Sequence, residues 1–328
     1  MMELILSEEN KKTKPNKEQI KFVLICCCTC KRPKMLTESL KSINNLILPT
    51  NKKVEILICD NDENKTAKET IEKFIPTSKL PIHYIIEKQR GICFARNKVL
   101  EEAIKLKASH ILFFDDDEIL SETCLMEHIF LYETNPTALI SSGPTKNKFI
   151  EELPKYITKN IVFKQKTTKI TGLKRDYCAC GNVFFPVSLA KDYNLRFSSE
   201  YIFMGGEDGD FFKKASNLGF TIIWNNEAII YEMVSKSRGN INWILNKCYY
   251  NGYAGTILKF KNSNKNKTFY IIKQTITLLL SCIILPFSII GGLTTFFNIL
   301  GISFRTKGKI DAAIKNTPIN FYQNISGE

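Results

Sequence analysis

The stretch His110-Ile-Leu-Phe-Phe-Asp-Asp-Asp-Glu118 organises the interpretation of this chain. Four apolar residues run directly into four acids, and an apolar run of this length is typical of a strand buried on both faces of a parallel sheet. The acids would then lie at the carboxyl edge of the sheet, where open α/β folds bind ligands. Two interpretations stay open: an acidic helix start favoured by the helix dipole, or carboxylates that a cation neutralises.

Apolar runs alternate with segments of helical spacing on the N-terminal side of this stretch. Strands are predicted at residues 22–28, 54–59, 82–86 and 111–114, and helices at 35–48, 67–74 and 95–106. This alternation indicates βαβ units, an α/β fold and a mostly parallel central sheet. Three of the strands end in polar residues, at 29–32, 60–62 and 115–117, which we therefore expect to meet at one edge of the sheet.

The pattern becomes less regular after Glu118. We predict helices at 121–132 and 211–218 and short strands at 139–142, 183–186, 221–224 and 229–233. Residues 144–175 are basic and without clear periodicity, which favours a loop region that faces the substrate.

Charge and cysteine content narrow the classes of function. The chain of 328 residues carries 46 basic and 33 acidic residues, a net charge of +13, which indicates an anionic partner. An arginine-rich arm is absent from the sequence, so nucleic acid is not favoured over an anionic membrane lipid or a phosphorylated substrate. Five of the 11 cysteines, at positions 26, 27, 28, 59 and 282, lie in apolar runs, their number is odd, and the first residues are polar and rich in lysine, which together favour a reducing cytosolic compartment. A zinc site of Cys28, Cys30, Cys178 and Cys180 is the weaker alternative, because its spacing is not CxxC.

A long uncharged segment follows, at residues 274–304. It exceeds the roughly 20 residues that cross a bilayer but falls short of the ~40 needed for two spans. Pro286 and Gly291-Gly292 interrupt it, and basic residues flank both ends, which would keep both ends in the cytoplasm. A short or re-entrant hairpin that turns near Gly291 is favoured over a single tilted helix and over a buried pair of core helices.

Two acidic motifs have the residue types that sugar or phosphate chemistry requires. Asp115 and Asp117 at a strand end suit Mg²⁺ or Mn²⁺, which bind oxygen ligands and commonly share phosphate oxygens with the protein. Glu207 and Asp208 follow a Gly-Gly turn, and a carboxylate there would take a proton from an acceptor hydroxyl. Capping of the next helix is the alternative for this second pair.

The order of motifs resembles family 2 glycosyltransferases with the GT-A fold, over about residues 20–250. The motifs are Thr29-x-x-Arg-Pro33, Asp60, Arg90-Gly91 with Ala95-Arg-Asn97, Asp115-Asp-Asp117 and Gly206-Glu-Asp208. The resemblance implies a GT-A domain at 21–255, between a polar tail at 1–20 and a membrane-associated helix or hairpin at 268–306, with a C-terminal tail at 307–328.

The resemblance also implies roles for individual residues. Donor-binding residues would be Thr29, Arg32, Asp60, Arg90, Arg96, Asp115, Asp116 and Arg238, with Asp60 accepting a hydrogen bond from the base, usually uracil. Asp117 would bind the metal, and Glu207 and Asp208 would form the catalytic pair, with Asp208 as general base. Alternation along the strand predicts that Asp116 points away from Asp115 and Asp117.

The chain departs from the family pattern at one position. Many members have a histidine on a later strand that completes the metal site, whereas residues 229–233 here contain Glu232, the expected substitute. Trp243 would shape the acceptor site, as in a membrane-associated subset of the family, or would lie in the core of an amphipathic helix.

The expected activity is transfer of a sugar, with inversion, from a nucleoside-diphosphate sugar to a saccharide or lipid-linked acceptor. The resemblance and the basic charge together place it at the cytoplasmic face of the membrane, in synthesis of a surface polysaccharide or glycolipid. Two alternatives remain. A nucleotidyltransferase usually has a glycine-rich phosphate loop, which the turn Thr29-Cys-Lys-Arg-Pro33 lacks. A non-catalytic scaffold would not need Asp117 and Asp208.

Overall fold

A computed structural model describes residues 15–164, 169–202, 204–261, 266–315 and 317. Its centre is an eight-stranded sheet in the order β3-β2-β1-β4-β9-β6-β10-β8, in which β9 and β8 run antiparallel to their neighbours. The strands are β1 Phe22–Thr29, β2 Lys53–Asp60, β3 Ile82–Ile86, β4 His110–Asp115, β5 Glu118–Leu120, β6 Ile140–Ser142, β7 Thr145–Phe149, β8 Lys174–Arg175, β9 Val183–Pro186, β10 Ile222–Trp224 and β11 Ile230–Val234. The mostly parallel α/β sheet predicted from the sequence is confirmed.

The helices complete the βαβ units. They are α1 Pro33–Ile43, α2 Lys68–Phe74, α3 Ile92–Lys105, α4 Cys124–Thr134, α5 Lys155–Thr158, α6 Ser188–Lys191, α7 Glu207–Asn217, α8 Ile241–Lys261, α9 Lys267–Ile284 and α10 Leu293–Lys315. Helix α1 begins at a proline, whose fixed φ suits the first helical position. Helix α7 begins four residues earlier than predicted, directly after two glycines with positive φ, so both acids of the Glu207-Asp208 pair lie in its first turn.

Strand β1 shows why the sheet is buried on both sides. Its side chains alternate between two apolar clusters: Leu24 and Cys26 pack with α3 and α7, whereas Val23 and Ile25 pack with α1, α2 and α4. Every residue of β1 is buried. This double burial accounts for a continuous apolar run without polar alternation.

The register of the central strands brings three strand ends together. Thr29 at the end of β1 pairs with Asp60 at the end of β2, and Cys28 pairs with Asp115 at the end of β4. The three polar strand ends predicted to meet at one edge of the sheet therefore do so.

A second, three-stranded sheet in the order β5-β11-β7 lies beyond this edge. It brings Glu118 of β5 opposite Glu232 of β11. The prediction of an irregular region at residues 144–175 is wrong at β7, because this strand of lysines and polar residues is only partly buried and lacks an apolar face. Residues 165–168 of that region lie outside the described part of the chain.

The two predicted tails also differ from the structure. Residues 15–20 pack on the domain, since Lys17 Nζ donates to the carbonyl of Asn135 at 2.8 Å and Ile20 is buried. Residues 1–14 of that predicted tail lie outside the described part. At the other end, α10 continues to Lys315, so residues 307–315 are helical. The remainder of the predicted C-terminal tail is not described apart from residue 317.

The C-terminal segment is a helical hairpin. Helix α9 leads into a 3₁₀ turn, Pro286–Gly291, and α10 returns along α8. The hairpin predicted to turn near Gly291 is thus present in shape. Within the described residues, α9 is the one helix long and apolar enough to cross a membrane, and only 11% of its residues are buried.

Candidate active site

A cavity of about 710 Å³ opens at the carboxyl edge of the sheet. The polar strand ends, the first turn of α7, the small sheet and α8 all contribute to its walls. Charged side chains dominate its lining: Arg32, Arg90, Arg96, Asp115, Asp116, Asp117, Glu118, Glu207, Asp208, Glu232, Arg238 and Lys247. This edge is where α/β folds bind ligands, and the volume is typical of small-molecule sites.

Arg96 connects two of the acidic motifs. Its guanidinium donates to Glu207 Oε1 at 2.5 Å and to Asp115 Oδ1 at 3.2 Å. The side chains of Arg96 and Glu207 are 6% and 7% exposed, so this is a buried ion pair. Burial raises the pKa of Glu207 to about 7, and the Arg96 charge opposes that rise. Arg96 therefore connects Glu207 with Asp115 at the wall of the cavity, and its role toward the donor stays a prediction.

Asp208 is the more accessible acid of its pair. It is half-buried and lines the cavity, and its Oδ1 accepts a hydrogen bond from the backbone N–H of Gly209 at 2.7 Å. An accessible carboxylate at the cavity wall is within reach of a bound hydroxyl group. Glu207 is paired with Arg96 instead, so the two acids have different surroundings.

Arg32 binds the acids that follow β4. Its Nη1 contacts Asp116 Oδ1 at 3.0 Å and Asp117 Oδ2 at 3.2 Å, and the hydroxyl of Thr29 donates to Asp116 Oδ2 at 2.8 Å. The prediction that Asp116 points away from Asp117 is wrong. Strand β4 ends at Asp115, so the two-residue alternation does not extend to the turn that holds Asp116 and Asp117.

Arg238 occupies the space between the two predicted metal ligands. Its Nη2 donates to Asp117 Oδ2 at 2.6 Å and its Nη1 to Glu232 Oε1 at 3.0 Å. Both carboxylates thus contact the same guanidinium group. Carboxylate oxygens are also the ligands that Mg²⁺ and Mn²⁺ prefer. The donor set fits a divalent ion that is shared with substrate phosphates. Across the described chain, no three Asp, Glu, His or Cys side chains converge on a metal-sized position, so the cysteines proposed for zinc are not assembled there either.

Asp60 is the one predicted donor-site residue that does not line the cavity. Its side chain is fully buried, and its Oδ2 accepts hydrogen bonds from the Ala67 N–H at 2.9 Å and the Tyr84 hydroxyl at 2.8 Å. Its neighbour Asn61 lines the cavity instead. Asn61 Oδ1 accepts a hydrogen bond from the backbone N–H of Gly91 at 2.7 Å and so holds that loop in place. The role of Asp60 in base recognition stays a prediction.

The remaining predicted residues lie at the walls of the cavity. Arg90 is exposed at its edge, and Trp243 of α8 lines it while stacking on Phe163 at 6.0 Å between ring centroids. Trp243 therefore packs on an apolar cluster and also faces the cavity, and its role toward the acceptor stays a prediction. Sequence reasoning missed Lys247, which lines the same wall; its signal is a basic residue one helical turn after Trp243.

This sheet, with acids after β4 and a second acidic pair at the start of α7, defines the class as a GT-A glycosyltransferase fold. The chain belongs to glycosyl transferase family 2, whose pattern matches residues 23–193. The family and fold inferred from the motifs are confirmed.

Several characterised proteins are similar to the chain. The succinoglycan biosynthesis protein ExoM of Rhizobium meliloti is 26% identical over 225 residues, which are 69% of this chain and 71% of ExoM. The structure of S. aureus TarS 1-349 in complex with UDP-GlcNAc is 16% identical with a TM-score of 0.52, and the match covers 89% of this chain and 91% of that one. In another TarS structure, the chain spans only 43% of the chain it matches, with a TM-score of 0.52. The mannosyltransferase PcManGT of Pyrobaculum calidifontis, solved with GDP-Man and Mn²⁺, is 15% identical with a TM-score of 0.54, covering 95% of this chain and 79% of that one. These structural likenesses concern the fold.

Proposed function

We propose that the protein is an inverting, metal-dependent glycosyltransferase that uses a nucleoside-diphosphate sugar, UDP-linked, as donor. Its acceptor is a saccharide or a lipid-linked saccharide at the cytoplasmic face of the membrane, in synthesis of a surface polysaccharide or glycolipid. The observation that carries the proposal is that Asp117 and Asp208, 91 residues apart in sequence, line one cavity with the arginines that bind their neighbours. The ExoM relative and the nucleotide-sugar complexes of the structural neighbours support it.

The reaction is one displacement at the anomeric carbon. Asp208 takes the proton of the acceptor hydroxyl while that oxygen forms the new glycosidic bond. The bond between the anomeric carbon and the diphosphate oxygen breaks, and its electron pair leaves with the nucleoside diphosphate. Attack from the face opposite the leaving group inverts the anomeric configuration.

The arginines are placed to stabilise the leaving group. Arg32 and Arg238 already lie among the carboxylates of the cavity, and both can turn toward phosphate oxygens, which bind guanidinium groups well. Asp117 and Glu232 would hold Mg²⁺ or Mn²⁺, which offsets the charge that develops on the diphosphate. Arg96 keeps Asp115 in place beside the donor, and Trp243 with Lys247 forms the acceptor wall.

The hairpin supports the membrane assignment. Helix α9 has 18 residues and a length of ~27 Å at 1.5 Å per residue, close to the ~30 Å hydrocarbon core. Its outward face and the turn after it expose apolar side chains: Phe269, Ile272, Ile276, Leu279, Leu280, Ile283, Ile284, Phe287, Ile289 and Ile290. The lysines before it favour an anionic lipid surface.

The base assignment is tested with Asp208→Asn. We expect this variant to keep donor binding, seen as thermal stabilisation by a UDP-sugar with Mn²⁺, and to lose transfer and donor hydrolysis. At ~100 times the dissociation constant, the ligand adds about 2.7 kcal/mol of stability, which a melting curve resolves. Asp192→Asn, at an exposed position after α6, is the matched control and should keep full activity. Normal transfer by Asp208→Asn would refute the assignment.

Two further measurements address the finer parts of the proposal. Proton NMR of donor hydrolysis identifies the anomer released first, and retention of configuration would contradict an inverting displacement. Asp117→Ala should weaken donor binding in the presence of Mn²⁺ but change it little in EDTA. Equal binding by this variant and the wild type in Mn²⁺ would remove Asp117 from the metal site.

A further inference from the structure

A second cavity, of about 540 Å³, lies between α8, α9, α10 and the segment after α5. Three cationic side chains line it, Lys164, Arg305 and Lys309, and none of the described residues that line it is acidic. A cavity lined by cations and by no described acid favours an anionic ligand.

Arg305 gives independent support for a ligand. Its Nε is buried and has no hydrogen-bond partner among the described residues. Buried donors are nearly always satisfied, so this group calls for an acceptor that the described residues do not supply. Lys309 lies one turn further along α10, on the same face as Arg305, and Lys164 approaches from the other wall.

The cavity is apolar as well as cationic. Ile161, Val162 and Ile302 share its lining with the cations, and its α9 wall belongs to the helix whose outward face is apolar. A ligand that matches both parts has an anionic head and a hydrocarbon chain that continues into the bilayer. Phosphate is the anion that fits several cationic donors at once.

Helix α8 connects this cavity to the active site. Lys247 lines the active-site cavity and Asn251, one helical turn later, lines the second cavity. One turn of helix advances ~5.4 Å, so a headgroup in the second cavity lies within reach of the first for a sugar attached to it.

We propose that the second cavity binds the phosphate headgroup of a membrane-embedded lipid and so holds the lipid-linked acceptor beside the active site. This inference deepens the proposed function and rests on it. Lys164, Arg305 and Lys309 bind the phosphate oxygens, the lipid chain follows the apolar side of the hairpin, and the saccharide extends toward Trp243.

The test compares two double variants of the full-length protein that have the same net charge. Lys164→Ala/Lys309→Ala removes two cavity cations, and Lys159→Ala/Lys307→Ala removes exposed lysines of the same two segments that do not line the cavity. Binding is measured by flotation with phosphatidylcholine vesicles that do or do not contain an isoprenyl phosphate. We expect the cavity variant alone to lose about tenfold or more in affinity for the phosphate-containing vesicles, which corresponds to about 1.4 kcal/mol.

Equal losses in both double variants would show attraction to surface charge and would overturn the proposal. Inorganic phosphate and pyrophosphate serve as soluble competitors, and binding of either as tight as that of the vesicles would overturn a lipid source. Hydrolysis of a UDP-sugar is measured on the same samples and should be unchanged in both double variants. Absence of this hydrolysis in the wild type would instead contradict the proposed transferase activity, whatever the vesicles show.

Discussion

The buried pair of Arg96 and Glu207 allows a quantitative test of how the active site is held together. Substitution Arg96→Met removes both contacts of the guanidinium and leaves the Glu207 carboxylate, 7% exposed, without a counter-charge. Breaking a buried pair in this way costs up to about 3–5 kcal/mol. The cost is smaller near pH 7, because burial has already raised the pKa of Glu207 to about 7 and the unpaired carboxyl takes up a proton. Asp115 contributes less to this cost because its side chain is 42% exposed and stays solvated.

Urea unfolding followed by circular dichroism measures this loss, with the slope of the transition expected to stay constant. Lys41→Met is the control, because it breaks the ion pair of Lys41 with Glu38 at the surface. Their side chains are 61% and 52% exposed, so the loss should be below ~0.5 kcal/mol. The double variant Arg96→Met/Glu207→Met leaves no charge uncompensated and should recover at least half of the stability lost in Arg96→Met. A loss below about 1 kcal/mol in Arg96→Met, or no recovery in the double variant, would refute a buried ion pair.

Two other perturbations test the contact between α8 and α10 and the buried histidines. Gly308→Ala should destabilise the protein by about 1–3 kcal/mol, since the new methyl carbon would lie 2.1 Å from the carbonyl oxygen of Tyr249. Gly255→Ala, with nothing within 4 Å, should instead stabilise it by about 0.5–1 kcal/mol; equal melting shifts would contradict this reasoning. Burial lowers the pKa of His110 to about 3 and of His128 to about 4. Both stay neutral in the folded state, so stability is lost as pH falls below ~6.5, by about 1.4 kcal/mol per histidine and pH unit. Unfolding titrations at pH 7.5 and 5.5 should show a smaller difference in His110→Phe, and an unchanged difference would assign the loss to other groups.

The sequence predicted the strands and their shared edge because a strand that is buried on both faces is a continuous apolar run. Such a run is recognisable from the local sequence, without knowledge of the strands that pair with it. The sequence did not predict the contacts of Arg32 and Arg238 with the carboxylates. Arg238 reaches Asp117 across 121 residues, and Arg32 reaches it across 85, so both contacts depend on sheet order and on the path of the chain after β11. The periodicity of the sequence predicts neither the sheet order nor this path.

The errors have equally local causes. Asp116 was oriented by strand alternation, which stops where β4 stops, at Asp115. Strand β7 was missed because its partly buried position allows lysines on alternate residues. Asp60 is a different case, because its role toward the donor stays a prediction: its Oδ2 accepts hydrogen bonds from Ala67 and Tyr84, contacts that depend on the turn after β2, whereas its Oδ1 is buried without a partner among the described residues.

The close contact of α8 and α10 has a consequence for protein engineering. Added Cβ atoms at Gly252 and Gly308 would lie 2.0 Å and 2.1 Å from backbone oxygens of the facing helix, so the two helices interlock at the level of the main chain. The hairpin is therefore a structural wall of the enzyme rather than an interchangeable anchor. A hydrophobic helix grafted from another protein in place of the hairpin would lack these contacts and would leave the inner surface of α8 uncovered. Removal of the hairpin would have the same defect.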